Sequence, residues 1–355
     1  MKKRWISLFL ILSLVLCGCG EQPAAPVASE TAAAVSTAEP GLLIHYIDVG
    51  QADSILIEYK DYHMLIDGGN KDDSQLVVSY LEQQGVESLD AVVCTHAHED
   101  HVGGLPSVLA VYPVEAVYAP TKTYSSRIFD DFLYYVDQQG QEVILPEPGT
   151  VLGTGDLEIT VLGPVMSYAE TNDTSIVLRL EYGETSFLFT GDMETAAEND
   201  MLDYWGDRVQ WQTDVLKVGH HGSNTSTGHR FLYEVNPTYG VIPVGKDNSY
   251  GHPHEEPMSR LRDAGVTVLR TDELGHILAA SDGKEVTFTW GNQSAQPERV
   301  EKPAFELKIY IGNKNSKTYH TEDCGSLPKE ENRVYFFGEL DARLNGYEPH
   351  SGCIE

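Results

Sequence analysis

The feature that most constrains this chain is the run Thr95-His96-Ala97-His98-Glu99-Asp100-His101-Val102-Gly103-Gly104. Three histidines and an aspartate fall within six consecutive positions, in the pattern His-x-His-x-Asp-His. The preceding Leu89-Asp90-Ala91-Val92-Val93-Cys94 is apolar and β-branched, and reads as a buried strand. After the two glycines, residues 105–112 have the composition of a helix. The cluster therefore sits on the loop leaving a strand, where a rigid scaffold aims side chains at one point. Neutral imidazoles suit zinc and similar divalent ions, and a carboxylate adds charge or holds a second ion. One short loop cannot turn all four side chains onto one ion without strain, so the spacing favours two. His96 and His98 then hold one ion, and Asp100 and His101 the other. Ions roughly 3.5–4 Å apart share a nucleophile and clamp both oxygens of a displacement. A histidine-rich surface loop that binds nothing is the competing reading; the strand before it and the Gly-Gly after it speak against that.

Strands and helices alternate along most of the chain, which makes it an α/β protein. Residues 42–47, 54–59 and 62–66 read as strands, the last two a hairpin turning at Lys60-Asp61. Residues 74–84 and 126–139 have helical spacing, and residues 114–119 form a strand between them. The aromatics Tyr124, Phe129, Phe132, Tyr134 and Tyr135 belong mostly to core or groove wall. Further strands are expected at 157–162, 175–182, 186–189, 214–218 and 239–244, with helices at 195–202 and 257–264. Leu269-Arg270-Thr271-Asp272 and Gly275-His276-Ile277 open the closing strands, which end at 285–290.

The N-terminus has a different character. Met1-Lys2-Lys3-Arg4 is basic, residues 5–16 form a short apolar run, and Leu16-Cys17-Gly18-Cys19 is similar to a bacterial lipobox. Residues 1–18 read as a lipoprotein signal peptide, with Cys19 as the lipidated residue. The apolar run is too short for an ordinary spanning helix; an uncleaved anchor or plain secretion is the alternative. Residues 19–40, rich in Ala, Pro, Ser, Thr and Glu, read as a disordered tether. The expected location is extracytoplasmic, with membrane contact through the lipid anchor alone, and no protein partner is evident. The net charge is −30, so the chain lacks the basic footprint of an extended nucleic-acid binder. Bound cations still make a phosphodiester site locally positive.

At His96, His98, Asp100 and His101 the sequence resembles the metallo-β-lactamase superfamily. Other stretches narrow the resemblance to the hydrolase domain of ComEC-type competence proteins. These are Ile47-Asp48-Val49-Gly50-Gln51-Ala52-Asp53-Ser54, Leu65-Ile66-Asp67-Gly68-Gly69, Thr190-Gly191-Asp192, Lys217-Val218-Gly219-His220-His221-Gly222-Ser223 and Gly251-His252-Pro253-His254. The resemblance implies a four-layer αβ/βα sandwich over residues 41–291, with two divalent ions, zinc or manganese, at one edge between the sheets. It implies metal ligation by His96, His98, Asp100, His101, Asp192, His221 and His252, with Asp192 bridging. Of the pair His220 and His221, one ligates and the other touches substrate or leaving group; His221 is the favoured ligand. Asp100, Asp192 and His220 are the expected catalytic groups, acting with a metal-bound hydroxide. Asp48 and Asp67 orient ligands or cap loops. His254 faces the substrate or starts a helix. Asn172 or Asp173 stands where the lactamases carry a third histidine, as a polar lid or simply as a turn; the missing histidine argues against lactam substrates. The function implied is a surface-anchored phosphodiesterase or nuclease acting on DNA or RNA. A hydrolase of cell-wall phosphodiesters, such as phosphorylcholine on teichoic acid, is the alternative, and a non-catalytic metal-loaded binding module is the third reading.

Residues 292–304 read as a linker, and residues 305–355 are similar to the small metal-binding module of Ada-type DNA-repair proteins. That module usually ends Pro-Cys-x-x-Cys; here Pro349-His350-Ser351-Gly352-Cys353 puts a histidine first. His320, Cys324, His350 and Cys353 suit one structural zinc, while a Cys324–Cys353 disulfide is the rival staple. A module this small needs one of them. Cys94, in the core strand, reads as an inert buried thiol.

Overall fold

The computed structural model describes residues 41–291, 293–295, 308–337 and 339–354. The expected signal peptide (1–18), the tether (19–40) with Cys19, and most of the expected linker (292–304) lie outside these residues; within that linker, residues 293–295 form a strand instead. Among the described residues no helix is long and apolar enough to cross a membrane.

Alternating apolar residues begin the first half with β1 (Leu42–Tyr46), β2 (Ile55–Tyr59) and β3 (Tyr62–Ile66), a meander of antiparallel pairs. Then follow α1 (Ser74–Gln83), β4 (Leu89–Val93), α2 (Glu99–Val102), α3 (Leu105–Val111), β5 (Val114–Tyr118), α4 (Arg127–Gln138) and β6 (Val143–Ile144). The second half has β7 (Leu157–Gly163), β8 (Val177–Tyr182), β9 (Thr185–Phe189), α5 (Thr195–Trp205), β10 (Val215–Lys217), α6 (His229–Val235), β11 (Tyr239–Ile242), α7 (Glu255–Asp263), β12 (Thr267–Arg270) and α8 (Thr271–Leu274). The chain then returns to the first sheet with β13 (Ile277–Ser281), β14 (Val286–Trp290) and β15 (Gln293–Ala295). A small module holds β16 (Ile309–Asn313), β17 (Thr318–Thr321), β18 (Arg333–Phe337), α9 (Glu339–Leu344) and β19 (Glu348–Pro349), its sheet ordered β18-β16-β17-β19.

Two sheets face each other. One runs β15-β14-β13-β1-β2-β3-β4-β5-β6, the other β12-β11-β10-β9-β8-β7. Strand periodicity sorts the side chains into layers. Met64, Ile66, Ala91 and Val93 of the first sheet meet Phe187, Phe189, Val215 and Val241 of the second. The alternate residues Leu65 and Val92 face outward, against Leu81, Leu105, Phe129 and Phe132 of the helices on that side. Leu188 and Leu216 do the same against Met201, Phe231 and Leu261. The result is an αβ/βα sandwich. Helix α4 shows how local sequence serves it: Ser126 Oγ accepts the Phe129 N–H at 3.2 Å as the N-cap, and Phe129, Phe132 and Val136 fall on one buried face. Truncating a buried phenylalanine of this kind to alanine costs about 3–5 kcal/mol.

Several local expectations are corrected. Thr271 and Asp272 belong to α8 rather than to a strand, and Thr271 Oγ1 instead ties the turn to Val244. Helix α7 starts at Glu255, ahead of Pro257, because a proline in the first turn lacks only an N–H that has no intrahelical partner. Ser175 and Ile176 precede β8, after a short helical turn at Asn172–Thr174. Helix α6, of seven residues, had no clear sequence signal.

Strands β3, β4, β5 and β6 are parallel, as are β9, β10, β11 and β12. The loops leaving the C-terminal ends of β3, β4, β9, β10 and β11 therefore emerge along one edge of the sandwich. The chain places its acids and histidines there.

Candidate metal centre

The loop after β3 and the loop after β4 interlock through glycine. A Cβ on Gly104 would lie 2.0 Å from the Gly68 carbonyl oxygen, so only glycine allows this approach. It brings Asp67 under the histidine motif. Asp67 is fully buried: Thr95 donates to it through N at 2.7 Å and through Oγ1 at 2.6 Å, and His101 Nδ1 lies 2.7 Å from its Oδ2. An acceptor on Nδ1 turns Nε2 of His101 towards the centre, the usual way a protein orients a metal-binding imidazole.

At that centre one ligand atom each from Asp100, His101, Asp192 and His221 lies within 4.8 Å of all the others. His101 Nε2 is 3.3 Å from Asp192 Oδ2, and His221 Nε2 is 3.5 Å from Asp100 Oδ2 and 3.6 Å from Asp192 Oδ2. His96 is buried beside this group, its ring centroid 4.1 Å from that of His101, and its Nε2 lies 3.1 Å from His98 Nδ1. Of the four motif residues, Asp100 and His101 fall in the four-donor group, while His96 and His98 lie beside it.

His221 owes its place to a backbone in the left-handed region at His220 and His221 (φ 48° and 51°). Its Nδ1 is held 2.9 Å from the Pro243 oxygen and 3.3 Å from Asp53 Oδ1. His220 turns towards the opening, with Nε2 3.7 Å from Asp192 Oδ2 and Nδ1 3.4 Å from Glu194 Oε1. Asn172 donates to Glu194 at 3.1 Å and reaches the same imidazole at 3.5 Å. Ser175 lies beside His96: its Oγ is 3.5 Å from His96 Nδ1 and accepts the Asp192 N–H at 3.1 Å.

These groups open into a cavity of about 350 Å³, lined by Gln51, His98, Asp100, His220, Tyr250 and His252 among others. His252 stands in its wall, outside the four-donor set, with Gln51 Nε2 3.3 Å from its Nδ1 and its ring stacked on Tyr250. His254 is the N-cap residue of α7, and its Nδ1 accepts the Asn224 N–H at 3.1 Å. Asp48 caps a turn by accepting the Gly50 N–H, and does not line the cavity. Two members of the site carried no role in the sequence reading. Asp53 and Lys217 are both buried and joined at 2.5 Å.

Electrostatics follow from burial and crowding. Burial alone would keep His101 neutral, but Asp192, Asp67 and Asp100 outweigh it and raise its pKa well above the usual value. His221 is pushed up to about 10 against the same burial, by Asp192 and Asp53. Burial opposes ionisation of Asp192, yet His101, His221 and Lys217 hold its pKa well below the carboxylate range. His96, lowered by burial and by His101, stays in the neutral form a metal needs. His252 is lowered to about 4 by burial and by its neighbours His220, His221 and His254. The donor set fits divalent cations: His101 Nε2 and His221 Nε2 are buried without a hydrogen-bond partner, and buried polar atoms without partners are costly.

In the small module His320, Cys324, His350 and Cys353 also bring their donors within 4.8 Å of one another. Cys324 Sγ lies 3.4 Å from His320 Nδ1 and 3.8 Å from His350 Nδ1; Cys353 Sγ lies 3.9 Å and 3.5 Å from the same atoms. Both cysteines are unbridged in this structure.

Comparison with known proteins agrees with this architecture. The profile described as Metallo-beta-lactamase superfamily matches residues 47–246. ComE operon protein 3 of Bacillus subtilis is 31% identical over 265 residues, which cover 69% of this chain and 34% of that protein. Competence protein ComA of Neisseria gonorrhoeae is 32% identical over 230 residues, covering 64% and 30% respectively. The chain spans about a third of the length of these curated relatives. Among solved structures, the metallo-beta-lactamase fold protein YhfI of Bacillus subtilis aligns over 68% of this chain and 100% of its own, with a TM-score of 0.47 and 15% identity.

Proposed function

Because the chain belongs to the metallo-beta-lactamase superfamily, we propose that it is a dinuclear metal-dependent phosphodiesterase whose substrate is DNA or RNA. The observation that carries this reading is the convergence of Asp100, His101, Asp192 and His221, with two buried Nε2 atoms left unpartnered, at the floor of an open cavity. An open position above a buried donor set suits a reacting centre better than a structural ion. Two divalent cations held by His96, His98, Asp100, His101, Asp192 and His221 would supply a water of lowered pKa and neutralise phosphoryl oxygens.

The chain's own residues do the rest. Asp67 and Asp53 fix the orientation of His101 and His221. His220, on the cavity wall, exchanges a proton with the leaving oxygen, and Glu194 and Asn172 hold its ring. Nucleic acid is favoured as substrate by the similarity to competence proteins, and the acidic chain then binds it locally at the cations rather than along a basic track. The basic and apolar start of the sequence followed by Cys19 supports extracytoplasmic anchoring to the bacterial cell membrane. In the C-terminal module the two thiols and two imidazoles suit one tetrahedral zinc.

The test is metal-dependent cleavage by the purified full chain and its His98→Ala and Asp100→Ala variants, with zinc or manganese. Substrates are single- and double-stranded DNA, RNA and p-nitrophenyl phosphorylcholine. Nucleic-acid cleavage lost in both variants is the expected result. Turnover of the phosphorylcholine ester alone reassigns the protein to wall polymers, a substrate that its acidic surface tolerates equally well. Two bound ions with every substrate intact would leave only a binding module.

A further inference from the structure

Strand β10 reads Val215-Leu216-Lys217, and period two puts Lys217 on the same face as Val215, between the sheets. Its side chain is fully buried. A buried ammonium is costly unless it is paired and hydrogen-bonded, and a positive charge beside a site built for cations needs a reason.

The contacts of Nζ supply one. It lies 2.5 Å from Asp53 Oδ2, donates to the Gly191 carbonyl oxygen at 2.7 Å, and lies 3.5 Å from Asp192 Oδ1. An ammonium needs acceptors for its protons: the Gly191 oxygen and Asp53 Oδ2 are close, and Asp192 Oδ1 lies at ion-pair distance. Asp192 is divided by this arrangement. Its Oδ1 lies 3.5 Å from the lysine, whereas its Oδ2 lies 3.3, 3.6 and 3.7 Å from Nε2 of His101, His221 and His220. The backbone beneath it is pinned as well, since Lys217 takes the Gly191 oxygen and Ser175 Oγ accepts the Asp192 N–H. Asp53 extends the device to a second ligand: one oxygen holds Lys217, the other lies 3.3 Å from His221 Nδ1.

We propose that Lys217 is a positioning residue: it holds Oδ1 of Asp192 away from the ions, so that Oδ2 alone serves both. The inference rests on the dinuclear reading above. A carboxylate free to rotate can instead chelate one ion through both oxygens. The lysine removes that alternative without touching a metal. Through Asp53 it also couples the orientation of Asp192 to that of His221.

Manganese loading tests this, because bridged manganese ions give an exchange-coupled paramagnetic resonance spectrum that separate ions do not. The full chain is loaded with manganese(II), its stoichiometry measured and its spectrum recorded, for the native protein, Lys217→Met and Lys217→Arg. The native protein should bind two ions with a coupled spectrum. Lys217→Met should weaken the second ion by about 10-fold or more and replace the coupled signal by that of isolated ions. Lys217→Arg, which keeps the charge and the donors, should restore coupling. Should Lys217→Met not fold, Lys217→Met with Asp53→Asn removes the stranded buried charge and gives the same readout. A coupled spectrum and unchanged affinity in Lys217→Met, or in that double variant, overturns the role of Lys217 while leaving the dinuclear reading intact. A native protein that binds fewer than two ions, or two uncoupled ones, overturns both.

Discussion

The cluster between the two sheets and the cluster of the C-terminal module differ first in where their donors come from. Asp100, His101, Asp192 and His221 are carried on the segments after β4, β9 and β10, the first two in α2, and the positions of those segments are set by both sheets. His320 and Cys324 lie on β17 and the turn that follows it, and His350 and Cys353 follow β19, the strand paired with β17. The first cluster rests on three large apolar clusters. The second has beneath it a core of Tyr310, Tyr319, Phe336, Ala342 and Tyr347. Donor chemistry differs in the same sense. Carboxylates and imidazoles opening to a cavity suit reaction, while two thiols and two imidazoles closing on one another suit a structural staple. A large core can afford an open, strained site; a small module must use its donors to hold itself together.

The largest effect should therefore come from removing metal, and it should separate the two regions. A strong chelator, or Cys324→Ser, should unfold the C-terminal module, since structural zinc sites supply about 10–16 kcal/mol of folding energy. Limited proteolysis should then cut within residues 308–354 while residues 41–291 stay intact. Equal resistance of both regions would mean the module's core suffices without an ion.

Next in size is chemistry. His101→Ala should lower kcat/KM on a cleaved substrate by at least about 1000-fold, or some 4 kcal/mol of transition-state stabilisation. Cys324→Ser should leave it near the native value. If both variants lose activity together, the clusters are coupled and the contrast drawn above fails.

Asp67→Asn probes the layer behind the ligands. The amide keeps one acceptor oxygen but must also satisfy two donors from Thr95 and the His101 ring. Metal affinity of the hydrolase site should fall about 10–100-fold, measured by competition with a chromophoric chelator. Zinc retention by the C-terminal cluster should be unaffected.

How much of this could be read beforehand depended on whether the signal was local. His96 to His101 are contiguous and follow an apolar strand, so their chemistry and placement were legible. Asp192 and the His220-His221 pair needed the order of the family's motifs, because an aspartate at a strand end is common. Asp53 and Lys217 received no role: Asp53 lies in a loop with Gln51 and Ser54, where polar residues are common, and Lys217 is a single polar residue in an apolar strand. A signal was present for Lys217: a lysine on the inward face of a buried strand is improbable without a partner. Zinc and disulfide stayed open for the module because either demands that Cys324 and Cys353 approach. The three-dimensional arrangement sets each sulfur beside two imidazoles, which supports the zinc reading proposed above. Helix α8 escaped because Thr271 and Leu274 fit a strand as well as a turn.

The smallest effect distinguishes the regions by pH. Glu198, on α5, is buried and accepts the N–H groups of Thr227 at 2.5 Å and Gly228 at 2.9 Å. It thereby anchors the far end of the loop that begins at His220 and His221, and the C-terminal module has no contact of this kind among its described residues. Burial raises its pKa to about 7 from an ordinary 4.5, although the two N–H groups and Arg260 pull the other way. The native state thus holds a proton that the unfolded state has released between pH 4.5 and 7. Stability drawn from this group is complete below the lower value and is lost as pH rises through the upper one. The melting temperature of the hydrolase domain should therefore drop by a few degrees from pH 5 to pH 8 through this residue. Glu198→Gln, which cannot titrate and gives up one acceptor, should melt lower at pH 5, and the difference between the two proteins should shrink by pH 8. Curves that stay parallel over that range would show that Glu198 is ionised throughout, and the loop behind His221 would then be indifferent to pH, as the C-terminal cluster's scaffold is expected to be.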